Sequence, residues 1–308
     1  MRKILSAAIL LLACLASGVR SQERGRWTMG SPMPSSRTEV AGAEVGGQIL
    51  IVGGYHGERD IEIYDPAKDA WKQGAPFPHP VHHAAAVGVQ GKFYVFGGYE
   101  NGWTPSAKAY VYDPLANQWQ RLPDLPSPRG SPAAAVIDNR IHVVGGVAPG
   151  GRNTAVHEVF VIASGAWETR APLPSPRDHF ALTSLDGRLY AIGGRINGSY
   201  SHNLGTLEIY HSAEDAWTTG APMPTERSGI AAAVLSGQIH VFGGEAPSGT
   251  FGEVEVYDPG GRSWSRRAPL PTPRHGLAAV TFSGRIHVIA GGPRPGATQS
   301  NLNEIFNP

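Results

Sequence analysis

Short apolar runs punctuated by glycine recur along this chain. Ile49-Leu50-Ile51-Val52, Phe93-Tyr94-Val95-Phe96 and Ile239-His240-Val241-Phe242 each end at a Gly-Gly pair. Runs of this length without polar alternation predict strands buried on both faces. Ahead of them stand runs of small residues that end at polar turns, such as Ala84-Ala85-Ala86-Val87 and Ala231-Ala232-Ala233-Val234. Small side chains suit an innermost strand, where neighbouring units crowd together. Downstream, Ile61-Glu62-Ile63-Tyr64 alternates and reads as a half-exposed strand. The segment around Trp71 supplies a fourth. The predicted unit is four strands, repeated, and the fold class is all-β.

One spacing rule fixes the repeat. Trp27, Trp71, Trp119, Trp167, Trp217 and Trp264 are each followed ten residues later by Arg37, Val81, Arg129, Arg177, Arg227 and Arg274. Sixteen residues further come pairs beginning at Gly53, Gly97, Gly145, Gly193 and Gly243, with Ala290-Gly291 in the sixth place. Seven residues before each Trp from Trp71 onwards lies an aromatic: Tyr64, Tyr112, Phe160, Tyr210 or Tyr257. Tyr64, Tyr112 and Tyr257 continue as Tyr-Asp-Pro, and a proline turn such as Pro222-Met223-Pro224 follows each Trp. A fixed period of this length marks a repeat architecture.

These residues resemble the Kelch repeat, whose mark is a diglycine followed by spaced Tyr and Trp. The resemblance covers the chain from about residue 26 to its end and implies a β-propeller of four-stranded blades. It also implies that the loops after each diglycine gather on one face with the turns near each Arg. The repeated Trp, Tyr, Arg and Gly residues are then scaffold, because every blade interface needs the same packing. Trp27 lacks a preceding aromatic, and Phe306-Asn307-Pro308 mimics Tyr-Asp-Pro with no Trp after it. The two ends should complete each other: the Trp27 segment is expected as the outer strand of a sixth blade built from about residues 275–307. Such closure removes the free edges of an open array.

Composition fits one globular all-β domain of residues 22–308, with 40 Gly and 26 Pro. The net charge is +1, from 26 basic and 25 acidic residues with no basic block, so no nucleic-acid partner is expected. At the N-terminus, Arg2-Lys3 precede the apolar run Ile4 to Leu15 and then small residues. This reads as a bacterial-type signal peptide, residues 1–21, and the expected address is secreted, periplasmic or cell envelope. Leu11-Leu12-Ala13-Cys14 also resembles a lipobox, so a lipoprotein signal ending before Cys14, with a lipid anchor there, stays open. The apolar run is too short for a transmembrane segment. Cys14 is the only cysteine, so no disulfide holds the domain.

Candidate chemistry lies where the repeat varies. Successive Trp residues stand 44, 48, 48, 50 and 47 apart, and the variation falls after the diglycine. Variable loops on a fixed scaffold commonly carry binding. The expected ligand-binding face holds Tyr55, His56, Arg59, Tyr99, Trp103, Arg152, Asn153, Arg195, Tyr200, His202 and Arg294. Trp103 stands outside the spacing rule, so blade packing does not account for it. Val81 breaks the Arg rule beside His82-His83 and is a second candidate for a functional exception, whereas Ala290 reads as packing. His142, His240 and His287 occupy the place of Tyr94 and Tyr190 and read as strand residues. His82, His83, His179 and His275 follow the proline turns near the channel mouth. They lack a local ligand spacing such as His-x-x-x-His, and ring symmetry is expected to keep them apart, so neither a metal nor a cofactor is assigned.

The expected function is a binding module for a protein or glycan, acting as a monomer through its loop face. The alternative is a cofactor-free carbohydrate enzyme similar to the sialic-acid mutarotase, a six-bladed Kelch protein. Glu100, Glu245, Arg195 and His179 are its candidate acid, base and carboxylate clamp, although no family motif maps onto them. A copper oxidase similar to galactose oxidase needs a Tyr crosslinked to Cys, and the single Cys14 lies in the export signal.

Overall fold

The computed structural model describes residues 25–308. The predicted signal segment, residues 1–21, and Cys14 within it lie outside the described residues. Six antiparallel sheets, each with a four-strand path, are arranged as the blades of a β-propeller. Blade 1 runs Ala41–Val45, Gln48–Val52, Ile61–Asp65, Ala70–Gln73, and blade 2 runs Ala85–Val89, Lys92–Phe96, Ala109–Asp113, Gln118–Arg121. Blades 3, 4 and 5 begin at Ala133, Ala181 and Ser228. Blade 6 takes Ala278–Phe282, Arg285–Ile289 and Asn303–Asn307 from the C-terminal end and Arg26–Met29 from the N-terminal end. The expected closure is observed, with Trp27 opposite Phe306. Among the described residues no helix is long and apolar enough to cross a membrane.

The first strand of each blade lines the central channel, a space of about 350 Å³ walled by Ala, Gly, Val, Ser and Thr side chains with Glu44 and Leu182. Small residues fit because six strands converge there. Each first strand turns into the second through two residues of positive φ, such as Gln90-Gly91 and Asp138-Asn139. This is the type I′ geometry that matches strand twist, and it explains the polar turns of the sequence.

The spacing rule is a set of bonds between blades. Every repeat Trp donates its indole Nε1 to the carbonyl four residues after the Trp of the preceding blade, at 2.8–3.1 Å, including Trp27 to Ala268 across the closure. Each second glycine donates its N–H to the carbonyl at the Arg position of the next blade, from Gly54 to Val81 round to Gly291 to Arg37. The first glycine must be small and left-handed. A Cβ on Gly243, at φ 66°, would stand 2.3 Å from the Arg274 carbonyl oxygen. Ala290 accepts the same conformation at φ 59°, fully buried, so the sixth diglycine is replaced rather than moved.

The five arginines are fully buried, and each is salt-bridged to a glutamate on its blade's third strand: Glu62, Glu158, Glu208, Glu255 or Glu304. Two sequence expectations change here. Ile61–Asp65 is not half-exposed: Ile61 to Tyr64 are all buried, because blades stack on both faces of the strand and Glu62 is neutralised by Arg37 at 2.6 Å. Val81 is not a functional exception. It sits in an apolar cluster with Phe77 and Tyr110, and Tyr110 occupies the place that Glu62 holds in blade 1. Blade 2 has exchanged both members of the ion pair for apolar partners.

Candidate functional site

Three positions per blade meet at one mouth of the channel. The residue after each Arg position bridges the residue after the diglycine: Thr38 to Tyr55, His82 to Tyr99, Gly130 to Val147, Asp178 to Arg195, Ser228 to Glu245 and His275 to Gly292. The next residue in each blade forms an inner belt: Glu39, His83, Ser131, His179, Gly229 and Gly276. All six have left-handed backbones, with φ from 48° to 68°. Backbone N–H groups link the belt to its neighbours, as in Glu39 to Gly276, His83 to Glu39 and Ser131 to His83. The scaffold thus presents eighteen equivalent positions, and their side chains differ from blade to blade.

The four histidines do not stay apart. His82 and His275 share one register, His83 and His179 the next, and the His83 and His179 rings lie 4.8 Å apart between centroids. Glu39 stands among them: its Oε2 is 3.3 Å from His83 Nε2 and 4.0 Å from His179 Nε2, and its Oε1 is 3.5 Å from His275 Nε2. Arg195 spans the other side. Its guanidinium donates to Asp178 at 3.1 Å, to Glu245 at 2.9 Å and to His179 Nε2 at 2.9 Å. His179 Nδ1 is hydrogen-bonded to Asp178. Burial pushes the Asp178 carboxyl up, but His179 and Arg195 outweigh it and hold it below the usual carboxylate range. Burial, with His179 nearby, holds His83 well below the usual imidazole range. Beneath the belt lies a neck cavity of about 120 Å³, lined by Glu39, His83, Ser131 and His179. That is well under the roughly 300–1,000 Å³ of sites that enclose a drug-sized ligand. The neck therefore suits an ion with its waters, and a larger ligand must sit outside it.

Outside the belt an aromatic rim rises on blades 1 and 2. Trp103 is 61% exposed and packs edge-on against Tyr99 at 4.9 Å and Tyr55 at 6.3 Å. Tyr55 lies over His82 at 4.6 Å. Burial raises both tyrosines, Tyr99 to about 12, so both stay protonated donors. Tyr200 flanks Arg195, with 5.8 Å between guanidinium and ring centroid.

Of the sequence-predicted face, Tyr55, Tyr99, Trp103, Asn153, Arg195 and Tyr200 gather here; Asn153 donates to Asp178 at 2.5 Å. His56, Arg152, His202 and Arg294 are exposed, with no side-chain hydrogen bond among the described residues. Arg59 donates to the Phe77 carbonyl instead. Of the acid–base candidates, His179, Arg195 and Glu245 converge, whereas Glu100 is salt-bridged to Lys108 and lies 3.6 Å from His79 on blade 2. Glu39 and Asp178 were not singled out from the sequence. Their signal is positional: Asp178 occupies the first place and Glu39 the second after an Arg of the repeat.

The chain matches a family model described as the KLHDC2/KLHL20/DRC7 Kelch-repeats domain, over residues 18–194 and again over 150–307. The chain belongs to the Kelch-repeat family. A Kelch propeller is in general a protein-interaction module. No curated protein matches the chain. Two wider grooves of this Kelch propeller, about 550 Å³ and about 490 Å³, lie between neighbouring blades. Their walls include Tyr64 and Trp119, which the repeat already uses in packing, so the mouth is the better candidate.

Proposed function

We propose that this Kelch propeller is an exported, monomeric binding module that takes a protein segment or glycan at its channel-mouth face. The observation that carries the reading is Trp103. It is the one tryptophan outside the scaffold rule, and it stands exposed against Tyr55 and Tyr99 instead of between blades. Such a ring offers broad apolar contact to a sugar face or an apolar peptide side chain, while the half-buried Tyr55 adds a hydroxyl. The export part of the reading rests on Arg2-Lys3 and the apolar run behind them. Glycan and peptide arrays probed with the purified chain test the proposal. Trp103→Ala should weaken the strongest hit at least tenfold, and Leu115→Ala, at a 98% exposed site away from the mouth, should not. Equal binding by the wild type and Trp103→Ala would refute it.

One observation favours a second reading, a cofactor-free carbohydrate enzyme. Asp178 orients the His179 ring, and Arg195 and Glu245 stand beside it, as an acid–base site requires. Accelerated mutarotation of an aldose or sialic acid, seen by NMR and lost in His179→Gln, would support it.

A further inference from the structure

We propose that the neck binds one divalent first-row transition-metal ion through Nε2 of His83, Nε2 of His179 and the Glu39 carboxylate. None of its ligands is a rim residue, and the His83 ring packs against Trp103, Tyr55 and Tyr99 at 5.3–5.6 Å between centroids. One ligand atom from each of the three residues lies within 4.8 Å of the others. Ligands at about 2.1 Å from a tetrahedral ion are about 3.4 Å apart. The spacings from Glu39 Oε2, 3.3 Å to His83 and 4.0 Å to His179, bracket that value.

The hydrogen bonds fix which ring nitrogens carry lone pairs, and an ion at His179 Nε2 takes the place of the Arg195 contact there. His82 Nε2 donates to the Gly102 carbonyl at 2.8 Å, so the neutral ring's Nδ1 accepts from His83 Nδ1 at 2.6 Å. His83 Nε2 is then left as a lone pair facing a carboxylate oxygen. His179 Nδ1 donates to Asp178, which leaves its Nε2 as the acceptor that Arg195 now contacts. His275 Nδ1 faces the Gly292 carbonyl at 3.1 Å, and its Nε2 stands 3.5 Å from the other Glu39 oxygen. His83 and His179 thus each have an outer partner on the far side of the ring, the arrangement by which proteins fix metal-bound imidazoles. Two imidazoles with one carboxylate leave coordination positions open, and the cavity beside them has room for water. Charge agrees. Asp178 and Glu245 pair with the guanidinium of Arg195, and among the described residues no arginine or lysine pairs with Glu39.

The test uses the tag-free chain, stripped with chelator and titrated with Zn²⁺ alone by calorimetry. One Zn²⁺ per chain is expected, with affinity reduced at least 100-fold in His83→Gln/His179→Gln and unchanged in His211→Gln at a strand end of blade 4. Asp178→Asn should weaken binding about 10–100-fold, as loss of a ligand's outer partner does. X-ray absorption of the Co²⁺-loaded wild type should show two imidazole ligands, a readout that does not depend on the double variant folding. No Zn²⁺ binding, fewer than two imidazoles, or full affinity in a folded double variant would each overturn the site.

Discussion

The exchange seen in blade 2 can be made in blade 5. Arg227 and Glu255 have fully buried side chains and meet at 2.5 Å. Arg227 also donates to the carbonyls of Gly243 at 2.8 Å, Thr225 at 3.2 Å and Val241 at 3.4 Å. Arg227→Val therefore leaves a buried carboxylate held mainly by the Thr225 hydroxyl at 2.8 Å, with Arg266 3.6 Å away and largely exposed. Removing one partner of such a pair costs about 3–5 kcal/mol, whereas exchanging both for apolar residues is often near neutral. Arg227→Val/Glu255→Tyr copies Val81 and Tyr110 of blade 2. It should recover most of that loss, giving a coupling of about 3 kcal/mol between the two sites. Urea unfolding of the wild type, both single variants and the double variant measures the cycle. A double variant destabilised by the sum of the two singles would refute the reasoning, because the pair would then contribute as two independent residues.

Two further predictions concern the scaffold. Ala290→Gly should raise the melting temperature, since a left-handed residue with a Cβ costs roughly 1–2 kcal/mol relative to glycine; a lowered melting temperature would show that the Ala290 methyl packs for more than its strain. Burial lowers His142 to about 3 and His157 and His240 to about 4, all below the imidazole value of 6.5. The unfolded chain then binds more protons than the fold between those values, so stability is full above pH 6.5 and falls as pH drops towards 4, by up to about 1.4 kcal/mol per pH unit per histidine. His240→Tyr, which copies Tyr94 and Tyr190 in the same slot, should flatten that acid slope in urea titrations at pH 7.0 and 4.5; an unchanged slope would contradict it.

The scaffold was legible in the sequence because its rules are backbone rules. A left-handed, crowded glycine and an indole reaching a fixed carbonyl tolerate almost no variation in spacing. Even the closure could be read, since Trp27 lacked an aromatic partner and Phe306 lacked a Trp. The Glu column of the third strand was hidden, because Ile61-Glu62-Ile63 has the alternation of a strand with one wet face. Only stacking of a blade on each side buries Glu62. The mouth was legible in part. Trp103 and Arg195 stood out as large residues after a diglycine, but Glu39 and Asp178 follow Arg in a turn, where a carboxylate is ordinary. The pairing of His83 with His179 was obscured because His82 and His275 belong to a different register. What brings them together is radial convergence at the axis, which no spacing along the chain displays.

The constant scaffold presents the varied positions at one mouth of the channel, and a bound ligand should register there. Hydrogen–deuterium exchange, with and without the strongest ligand from the arrays, tests this most directly. The claim predicts protection in residues 38–39, 55–57, 82–83, 99–103, 178–179 and 195–203, with none at the type I′ turns 46–47, 90–91, 138–139 and 186–187 of the opposite face. Protection confined to those turns, or to the outer strands that carry the repeat tryptophans, would contradict it.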